Sequence, residues 1–185
     1  MKISLVIPHL DTDPGKAEIL KRCVDSLSPQ VDEVIIIDSK TDSLAKKIND
    51  GLKKAKGDFI IVSNDDVYLK EDSAPLSALC YEGEVDVPVV HGGIDKLFHG
   101  HMWCIPKDIL QQVGYYDETC PGPYHIDSDY WVRLTEAGIP IVKNCQVHIM
   151  HPEPGRTLKQ LSNNTGATEE WFINKWGRDY LRMVS

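Results

Sequence analysis

Residues 58–66 have the sequence DFIIVSNDD, in which a short apolar run is followed directly by polar and acidic side chains. The run at 59–62 is uninterrupted and far too short to cross a membrane, which is typical of a strand covered on both faces of a mainly parallel sheet. Asn64, Asp65 and Asp66 would then lie at the carboxyl end of that strand, where open α/β sheets bind their ligands. The stretch therefore predicts a central strand and a candidate site at its end.

The adjacent carboxylates of Asp65 and Asp66 have two interpretations. They repel each other, so holding them together is favourable mainly when a divalent cation is shared between them and substrate phosphates. An isolated acidic block of this kind is more often a solvated turn that begins a loop. The choice between a metal site and a turn depends on the rest of the sequence.

Composition limits the class of protein. The chain has 185 residues, of which 42% are hydrophobic and 26% are charged, as expected for one globular domain with a sizeable core. The net charge of -8 disfavours broad electrostatic binding to nucleic acid. Five widely spaced cysteines without a CxxC pair are typical of reduced thiols in an intracellular protein. We find neither a signal peptide nor a transmembrane segment, and therefore expect a cytoplasmic location.

The N-terminal third of the chain predicts a β-α-β-α-β unit, the building block of a parallel sheet with right-handed crossovers. We expect Asp13 to cap the first helix and Thr41 or Asp42 to cap the second. Gly57 is expected to follow the end of the second helix. The predicted strands are residues 2–7, 34–37 and 59–62. The apolar helix positions that would cover the sheet are Leu20, Cys23, Val24 and Leu27 in the first helix and Leu44, Ile48 and Leu52 in the second.

Polar residues follow each of these strands. His9 and Asp11 follow the first strand, and Asp38 follows the second. The NDD sequence at 64–66 follows the third. Because the carboxyl ends of parallel strands share one edge, we expect these groups to converge on one crevice. The chain has neither a Walker motif nor GxGxxG, so a nucleotide site here would be neither a simple P-loop nor a dinucleotide fold.

The rest of the chain gives a less regular pattern. Asp127 or Ser128 is expected to cap a helix that ends before Gly138, and the long polar segment 151–168 is expected to form a lid over a ligand. We expect the aromatic residues of the last helix to pack in the core and not to anchor in a membrane. The remaining predicted elements are strands at 85–90, 97–105 and 139–149, helices at 75–81 and 106–113, and a last helix capped by Thr168.

Several separated segments together resemble a family-two glycosyltransferase. The N-terminal segments are SLVIP at 4–8, ILKRCVDSL at 19–27, VDEVIIID at 31–38 and KGDFIIVSNDDV at 56–67. The C-terminal segments are VGYYDE at 113–118, DSDYWVRLTEAG at 127–138, the histidine after the last strand and KWG at 175–177. Their order and spacing favour the metal-site interpretation of the NDD sequence. The resemblance implies a GT-A (Rossmann-like) α/β fold, with a mixed, mainly parallel sheet flanked by helices.

The resemblance also implies an enzyme that moves a sugar from a nucleotide-diphosphate donor to an acceptor hydroxyl, with inversion at the anomeric carbon and with Mn²⁺ or Mg²⁺ as cofactor. The NDD sequence corresponds to the DxD motif of the family. Asp66 is thereby implied as a metal ligand together with His151, or with His148 in its place. The residues implied to bind the donor are Pro8, His9, Asp38, Asn64 and Asp65. Independently of the resemblance, Arg156 and Lys159 in the predicted lid are expected either to add charge-assisted contacts to the donor phosphates or to form a solvated basic pair.

The same resemblance assigns the general base to Asp127, with Asp129 as the second acidic position of that motif. Two positions depart from the family pattern. Asn64 stands where an aspartate is frequent, and Ile126 stands where a glutamate or aspartate is common. The residues predicted to lie against the acceptor are His99, His101, Trp103 and the turn 121–124.

The chain is predicted to form a single domain with three parts: residues 1–67 bind the nucleotide sugar, 68–150 form the acceptor and catalytic half, and 151–185 form the loop and last helix. Three alternatives stay open. The two departures would fit a non-catalytic module that binds a nucleotide sugar or a glycan. A glycosyltransferase acting on a hydroxyl of a nucleic-acid base would differ only in acceptor, and the net charge disfavours it. A nucleotidyltransferase should have a glycine-rich basic first loop, whereas residues 8–15 contain a single glycine, Gly15.

Overall fold

The computed structural model describes residues 1–10, 14–80, 89–91, 101–144, 146–151 and 165–180. The strands are β1 Ile3–His9, β2 Glu33–Asp38, β3 Phe59–Ser63, β4 Tyr68–Leu69, β5 Val89–His91, β6 Met102–Pro106, β7 Val142–Lys143 and β8 Ile149–Met150. The α-helices are α1 Pro14–Leu27, α2 Leu44–Lys54, α3 Lys107–Val113, α4 Ile126–Glu136 and α5 Thr165–Trp176, and short 3₁₀ helices cover Ser28–Gln30 and Leu76–Leu79. Within these ranges, no helix is long and apolar enough to cross a membrane.

Six strands form the main sheet in the order β2-β1-β3-β6-β5-β7. Strand β1 pairs in parallel with β2 and with β3, and β5 pairs in parallel with β7. Strand β6 is antiparallel to both of its neighbours. This arrangement confirms the predicted mixed, mainly parallel sheet. A second, two-stranded sheet pairs β4 with β8 in antiparallel orientation.

Strand β3 lies near the centre of the sheet and is covered on both faces. Ile60 and Ile61 are both fully buried but point to opposite faces. Ile60 packs with Ile48 of α2, and Ile61 packs with Leu27 of α1. An uninterrupted apolar run is therefore required here, because neither face of the strand meets water.

Strands β1 and β2 differ from their predictions at their ends. Strand β1 continues through Pro8 to His9, two residues beyond the predicted end. After Val6, β1 pairs only with β2, so a proline on this stretch is tolerated as on an edge strand. Among the described strands, β2 lies at the edge of the sheet, and Ile36 is 41% exposed although residues 34–37 form an uninterrupted apolar run.

The second helix begins and ends differently from the prediction. Its N-cap is Ser43, whose hydroxyl oxygen accepts a hydrogen bond from the Lys46 amide at 3.2 Å, and neither Thr41 nor Asp42 caps it. Gly57 lies beyond the end of α2, and a Cβ there would be 2.7 Å from the Ser4 backbone nitrogen. Gly57 is therefore needed for close approach to β1 and not for ending the helix. The predicted first cap, Asp13, lies outside the described residues.

The predicted strand at 139–149 is wrong. Two short strands, β7 and β8, occupy this region and belong to different sheets. Between them, Asn144 Oδ1 accepts hydrogen bonds from the amides of Gln146 and Val147, and this turn redirects the chain. The predicted helix at 106–113 is confirmed as α3, which begins one residue later and is followed by Gly114 at φ 85°.

The remaining predictions are confirmed in part. The segment at 75–81 forms only a 3₁₀ turn, Leu76–Leu79. Of the predicted strands at 85–90 and 97–105, the structure describes β5 and β6, while residues 81–88 and 92–100 lie outside it. Helix α5 begins at Thr165, three residues before the predicted cap, and Thr168 is buried within the helix. Its Phe172 is fully buried, which confirms core packing for that aromatic residue.

Candidate active site

The NDD sequence follows β3 directly, at the carboxyl edge of the sheet. The Asn64 amide donates a hydrogen bond to the carbonyl of His101 at 2.9 Å, and its side-chain nitrogen lies 3.4 Å from His101 Nδ1. The three NDD side chains are half-buried. The segment is thus held in a fixed position beside β6, unlike a solvated acidic turn.

His151 is brought to Asp66 by the small sheet. Strand β4 begins two residues after Asp66 and pairs with β8, with Tyr68 opposite Met150. His151 follows Met150 directly, so the antiparallel register places it beside the NDD sequence. The distance from His151 Nε2 to Asp66 Oδ1 is 2.9 Å, and the His101 and His151 ring centroids are 4.2 Å apart.

The Asp66 and His151 side chains fit a divalent metal. Asp66 Oδ1 is buried and accepts no hydrogen bond within the described part of the chain, although His151 Nε2 lies 2.9 Å away. A carboxylate oxygen and an imidazole nitrogen are suitable ligands for Mn²⁺. Among the described residues, no group of three or more His, Cys, Asp or Glu side chains is arranged to hold a metal ion together. A cation here would therefore complete its coordination with water and with phosphate oxygens of a ligand.

The second carboxylate of the motif is paired with a histidine from β1. His9 Nδ1 lies 2.7 Å from Asp65 Oδ2, and His9 is only 5% exposed. Lys47 of α2 donates a hydrogen bond from Nζ to the His9 carbonyl at 2.8 Å. Burial lowers the pKa of Lys47, while the carboxylates of Asp38 and Asp65 act in the opposite direction. The end of β1 is thus fixed to both β3 and α2.

The other predicted donor residues lie at the same edge. Pro8 is buried in β1, and Asp38 is exposed at the end of β2, opposite His9 in the parallel register. The structure therefore places Pro8, His9, Asp38 and the NDD sequence together along one sheet edge. Arg156, together with Lys159 and the rest of the predicted lid from 152 to 164, lies outside the described residues.

Cys23 lies beneath the NDD sequence and is not a nucleophile. Its Sγ donates a hydrogen bond to the Asn64 carbonyl at 3.5 Å, and its side chain is 1% exposed. Burial, and then the charge of Asp65, raises the pKa of the Cys23 thiol to about 12. The thiol is therefore protonated at neutral pH and acts as packing between α1 and the site.

The first turn of α4 carries two aspartates in different environments. Helix α4 begins at Ile126 with His125 as N-cap, so the predicted capping role of Asp127 or Ser128 is wrong. Asp127 is half-buried, and its Oδ1 accepts a hydrogen bond from the Ser128 amide at 2.9 Å. Asp129 is fully buried against cations: Lys175 Nζ lies at 2.7 Å and Arg133 Nε at 3.1 Å. Asp129 therefore has a structural role.

The acceptor-side predictions have mixed outcomes. Trp103 is 1% exposed and packs against Tyr130 and Tyr116, with ring centroids 5.3 and 5.8 Å away, so it is a core residue and does not stack on a sugar. His101 lies beside the Asp66 and His151 pair. The turn 121–124 is exposed or half-buried just before α4. His99 lies outside the described residues.

Two polar residues of α2 were missed by the sequence interpretation. Lys47 contacts the end of β1 as described, and Asn49 is 1% exposed. Asn49 Oδ1 accepts a hydrogen bond from the Tyr116 amide at 2.8 Å, and its Nδ2 donates to the Tyr116 carbonyl at 2.9 Å. Helix α2 thus connects the NDD edge with the segment that precedes α4. The sequence feature that could have indicated their burial is that Lys47 and Asn49 flank Ile48, a residue on the buried side of an amphipathic helix.

The fold and the edge-located polar residues define the class of structure: this is the GT-A fold, which is shared by nucleotide-sugar glycosyltransferases. The structure is similar to the catalytic domain of Drosophila β1,4-galactosyltransferase 7 in complex with xylobiose, with a TM-score of 0.65 and 17% identity over 84% of this chain and 72% of that one. It is also similar to glucosyl-3-phosphoglycerate synthase from Mycobacterium tuberculosis in complex with Mg²⁺ and UDP (TM-score 0.67, 15% identity, 95% of this chain and 79% of that one).

A third similar structure is the mannosyltransferase PcManGT from Pyrobaculum calidifontis in complex with GDP-Man and Mn²⁺, with a TM-score of 0.64 and 10% identity over 99% of this chain and 72% of that one. Comparison of the sequence with protein-family models gives no match. Comparison with curated protein sequences gives none either. At identities of 10% to 17%, these likenesses establish the fold of the chain.

Proposed function

We propose that this protein is a metal-dependent glycosyltransferase that moves a sugar from a nucleotide-diphosphate donor to an acceptor hydroxyl, with inversion at the anomeric carbon. The observation that carries the proposal is the Asp66 and His151 pair at the carboxyl end of β3. Its Oδ1 to Nε2 distance is 2.9 Å, and the carboxylate oxygen is buried without a hydrogen bond within the described residues. Burying a carboxylate oxygen without a hydrogen bond is costly, and a bound cation would offset that cost.

Asp66 and His151 would hold Mn²⁺ or Mg²⁺ through Oδ1 and Nε2. When bound, the metal supplies a Lewis acid that neutralises negative charge on the departing diphosphate. The protein contributes the fixed positions of the two ligands. Pairing of β4 with β8 sets the position of His151, and the end of β3 sets that of Asp66.

Donor binding is assigned to the edge formed by β1, β2 and β3. Asp38 is proposed to contact the nucleotide base, with Pro8 and His9 beside it, as the resemblance implies; the parallel register, which sets His9 opposite Asp38, supports this. Asn64 and Asp65 lie between them and the metal pair, and His9 orients the Asp65 carboxylate at 2.7 Å. Arg156 completes the proposed set of donor contacts from the lid.

Asp127 is proposed to remove the proton from the acceptor hydroxyl as that oxygen attacks the anomeric carbon. A carboxylate within hydrogen-bond reach of the hydroxyl can act as general base in this way. Attack from the side opposite the diphosphate inverts the anomeric configuration. Asp127 is suited to this role because it is half-buried and so can be reached by an acceptor. Asp129 is buried and paired with Lys175 and Arg133.

The experiment that tests the proposal is a thermal-shift titration with UDP, UDP-glucose, UDP-galactose and GDP-mannose, each with and without Mn²⁺. Asp66→Ala is compared with Asp72→Ala, because Asp72 also contacts a histidine, His148 at 3.2 Å, but is 72% exposed. We expect a Mn²⁺-dependent rise of the midpoint in the native protein and in Asp72→Ala, and none in Asp66→Ala.

Release of the nucleotide diphosphate, with glycans or water as acceptor, then distinguishes an enzyme from a binding module. Mn²⁺-dependent binding without any release would support the non-catalytic alternative. No midpoint shift with any of the four nucleotides would contradict the proposed donor site itself.

A further inference from the structure

Helix α5 contacts the first turn of α4 at positions that flank Asp127. The first contact is between the rings of Phe172 and His125, whose centroids are 5.3 Å apart. His125 is the N-cap of α4 and has φ 62° and ψ 2°, a left-handed conformation that is unfavourable for a residue with a side chain. The His125 carbonyl accepts the Asp129 amide at 2.8 Å, so its conformation fixes how the helix begins.

The second contact lies two residues after Asp127. Asp129 is fully buried, and its Oδ1 accepts a hydrogen bond from Trp176 Nε1 at 2.8 Å. The same oxygen lies 2.7 Å from Lys175 Nζ. Helix α5 therefore touches the turn both before and after the residue proposed as the base.

Lys175 also joins a third segment to this contact. Its Nζ lies 2.5 Å from Asp117 Oδ2, in the segment between α3 and α4. The ammonium also lies over the rings of Trp171 and Trp176, with centroids at 4.9 and 5.5 Å. One ammonium group thus connects α5, the segment before α4 and α4 itself.

A general base must be held close to its productive position, since a displacement of about 1 Å can lower a rate roughly 100-fold. We infer that Lys175 is a positioning residue, which holds α5 against the first turn of α4 and thereby keeps Asp127 in place to take the acceptor proton. This inference rests on the proposed function, because it takes Asp127 as the base.

The first test measures backbone hydrogen exchange in K175M, K175R and, as a control, K21M. Lys21 is 74% exposed and pairs with Asp25 along its own helix. We expect the Asp129 amide, which donates to the His125 carbonyl at the start of α4, to exchange about tenfold faster in K175M, with the amides of α2 unchanged. K175R and K21M should exchange like the native protein. Native protection of the Asp129 amide in K175M would overturn the inference, whatever reaction the protein performs.

The second test separates positioning from binding. In K175M we expect kcat for sugar transfer to fall about 100-fold, while the donor Kd stays within about twofold of the native value and K175R recovers most of the rate. An unchanged kcat in folded K175M would overturn the inference. A native protein that turns over no donor would contradict the proposed function, and the exchange measurement would still decide whether Lys175 holds the turn.

If K175M does not fold, F172L is the second variant, since it weakens the contact on the other side of Asp127. The expected pattern is the same: faster exchange of the Asp129 amide and a lower kcat, with an unchanged donor Kd. A variant with native exchange and native kcat would contradict the inference.

Discussion

The chain has two acidic sequences of similar appearance, NDD at 64–66 and DSD at 127–129, and the structure gives their carboxylates different partners. In NDD, Asp65 and Asp66 each face a histidine, at 2.7 and 2.9 Å. In DSD, Asp129 faces a lysine and an arginine and has no exposed surface. Asp129 is paired with two cationic side chains, whereas imidazole partners leave the NDD carboxylates able to accept a cation.

The comparison shows how partner identity separates a binding site from a structural anchor. A lysine or arginine beside a buried aspartate completes its charge balance, and removing either partner is costly. A neutral histidine does not cancel the charge of an aspartate and can itself bind the same metal. Two adjacent carboxylates that both have histidine partners therefore point to a ligand, and a carboxylate with two cationic partners points to packing.

The largest expected effect is that of His151→Ala. Loss of a metal ligand should remove several kcal/mol of transition-state stabilisation, so we expect transfer to slow by about 10⁴-fold in steady-state assays with Mn²⁺. His148→Ala is the matched control, because His148 directly precedes β8, as His151 directly follows it, and contacts Asp72, yet its side chain is 41% exposed. Equal rates for the two variants would contradict a specific role of His151 as the metal ligand beside Asp66.

Asp127→Asn should come next. It removes the proposed base and keeps the shape of the side chain, so we expect kcat to fall about 10³-fold, with donor binding and thermal stability close to native. Rapid-mix measurement of nucleotide release at saturating donor checks this expectation. A native kcat in Asp127→Asn would show that another group takes the proton, and would place both members of the DSD sequence among the structural residues.

The N-terminal half of the fold was predictable because its signals are local. The apolar run at 59–62 predicted a strand buried on both faces, and the repeat of Leu44, Ile48 and Leu52 predicted the face of α2 that packs on it. Edge position was not predictable from the apolar run itself: β2 lies at one end of the described strand order, and Ile36 is exposed there.

The site was predictable only in part. Parallel topology predicts that polar residues after strands share an edge, so His9, Asp38 and the NDD sequence could be placed together. The distance between His151 and Asp66 depends on pairing of β4 with β8, two-residue strands that no sequence period indicates. The burial of Lys47 and Trp103 could be seen only in the structure. A lysine on an amphipathic helix and a tryptophan in a strand occur at both buried and exposed positions.

The substitution Asp129→Asn tests the structural role of the DSD sequence. The substitution leaves Lys175 and Arg133 near an amide that cannot balance their charge, so we expect a loss of about 3 kcal/mol in the free energy of unfolding. Urea titration of the variant beside Asp127→Asn gives the contrast directly, since the second substitution should leave the unfolding free energy near native. Similar stabilities for the two variants would contradict the structural assignment of Asp129.

The smallest expected effect concerns the pH dependence of the same cationic cluster. Burial alone would raise the pKa of Asp117, but hydrogen bonds from Lys175 and Thr119 outweigh it and lower the pKa to about 2, from 3.8. Because the folded pKa is below the unfolded one, the ionised carboxylate stabilises the fold fully above about pH 5, and this contribution is lost as the pH falls towards 2. This contribution amounts to about 2 kcal/mol.

Asp117→Asn should therefore lower the unfolding free energy at pH 6 by that amount and leave it nearly unchanged at pH 2. Since hydrogen bonds also lower the pKa of Glu33 and of Asp50, the difference between variant and native protein across this pH range is the quantity to measure. A difference that does not vary with pH would contradict a stabilising role for the ionised Asp117 carboxylate.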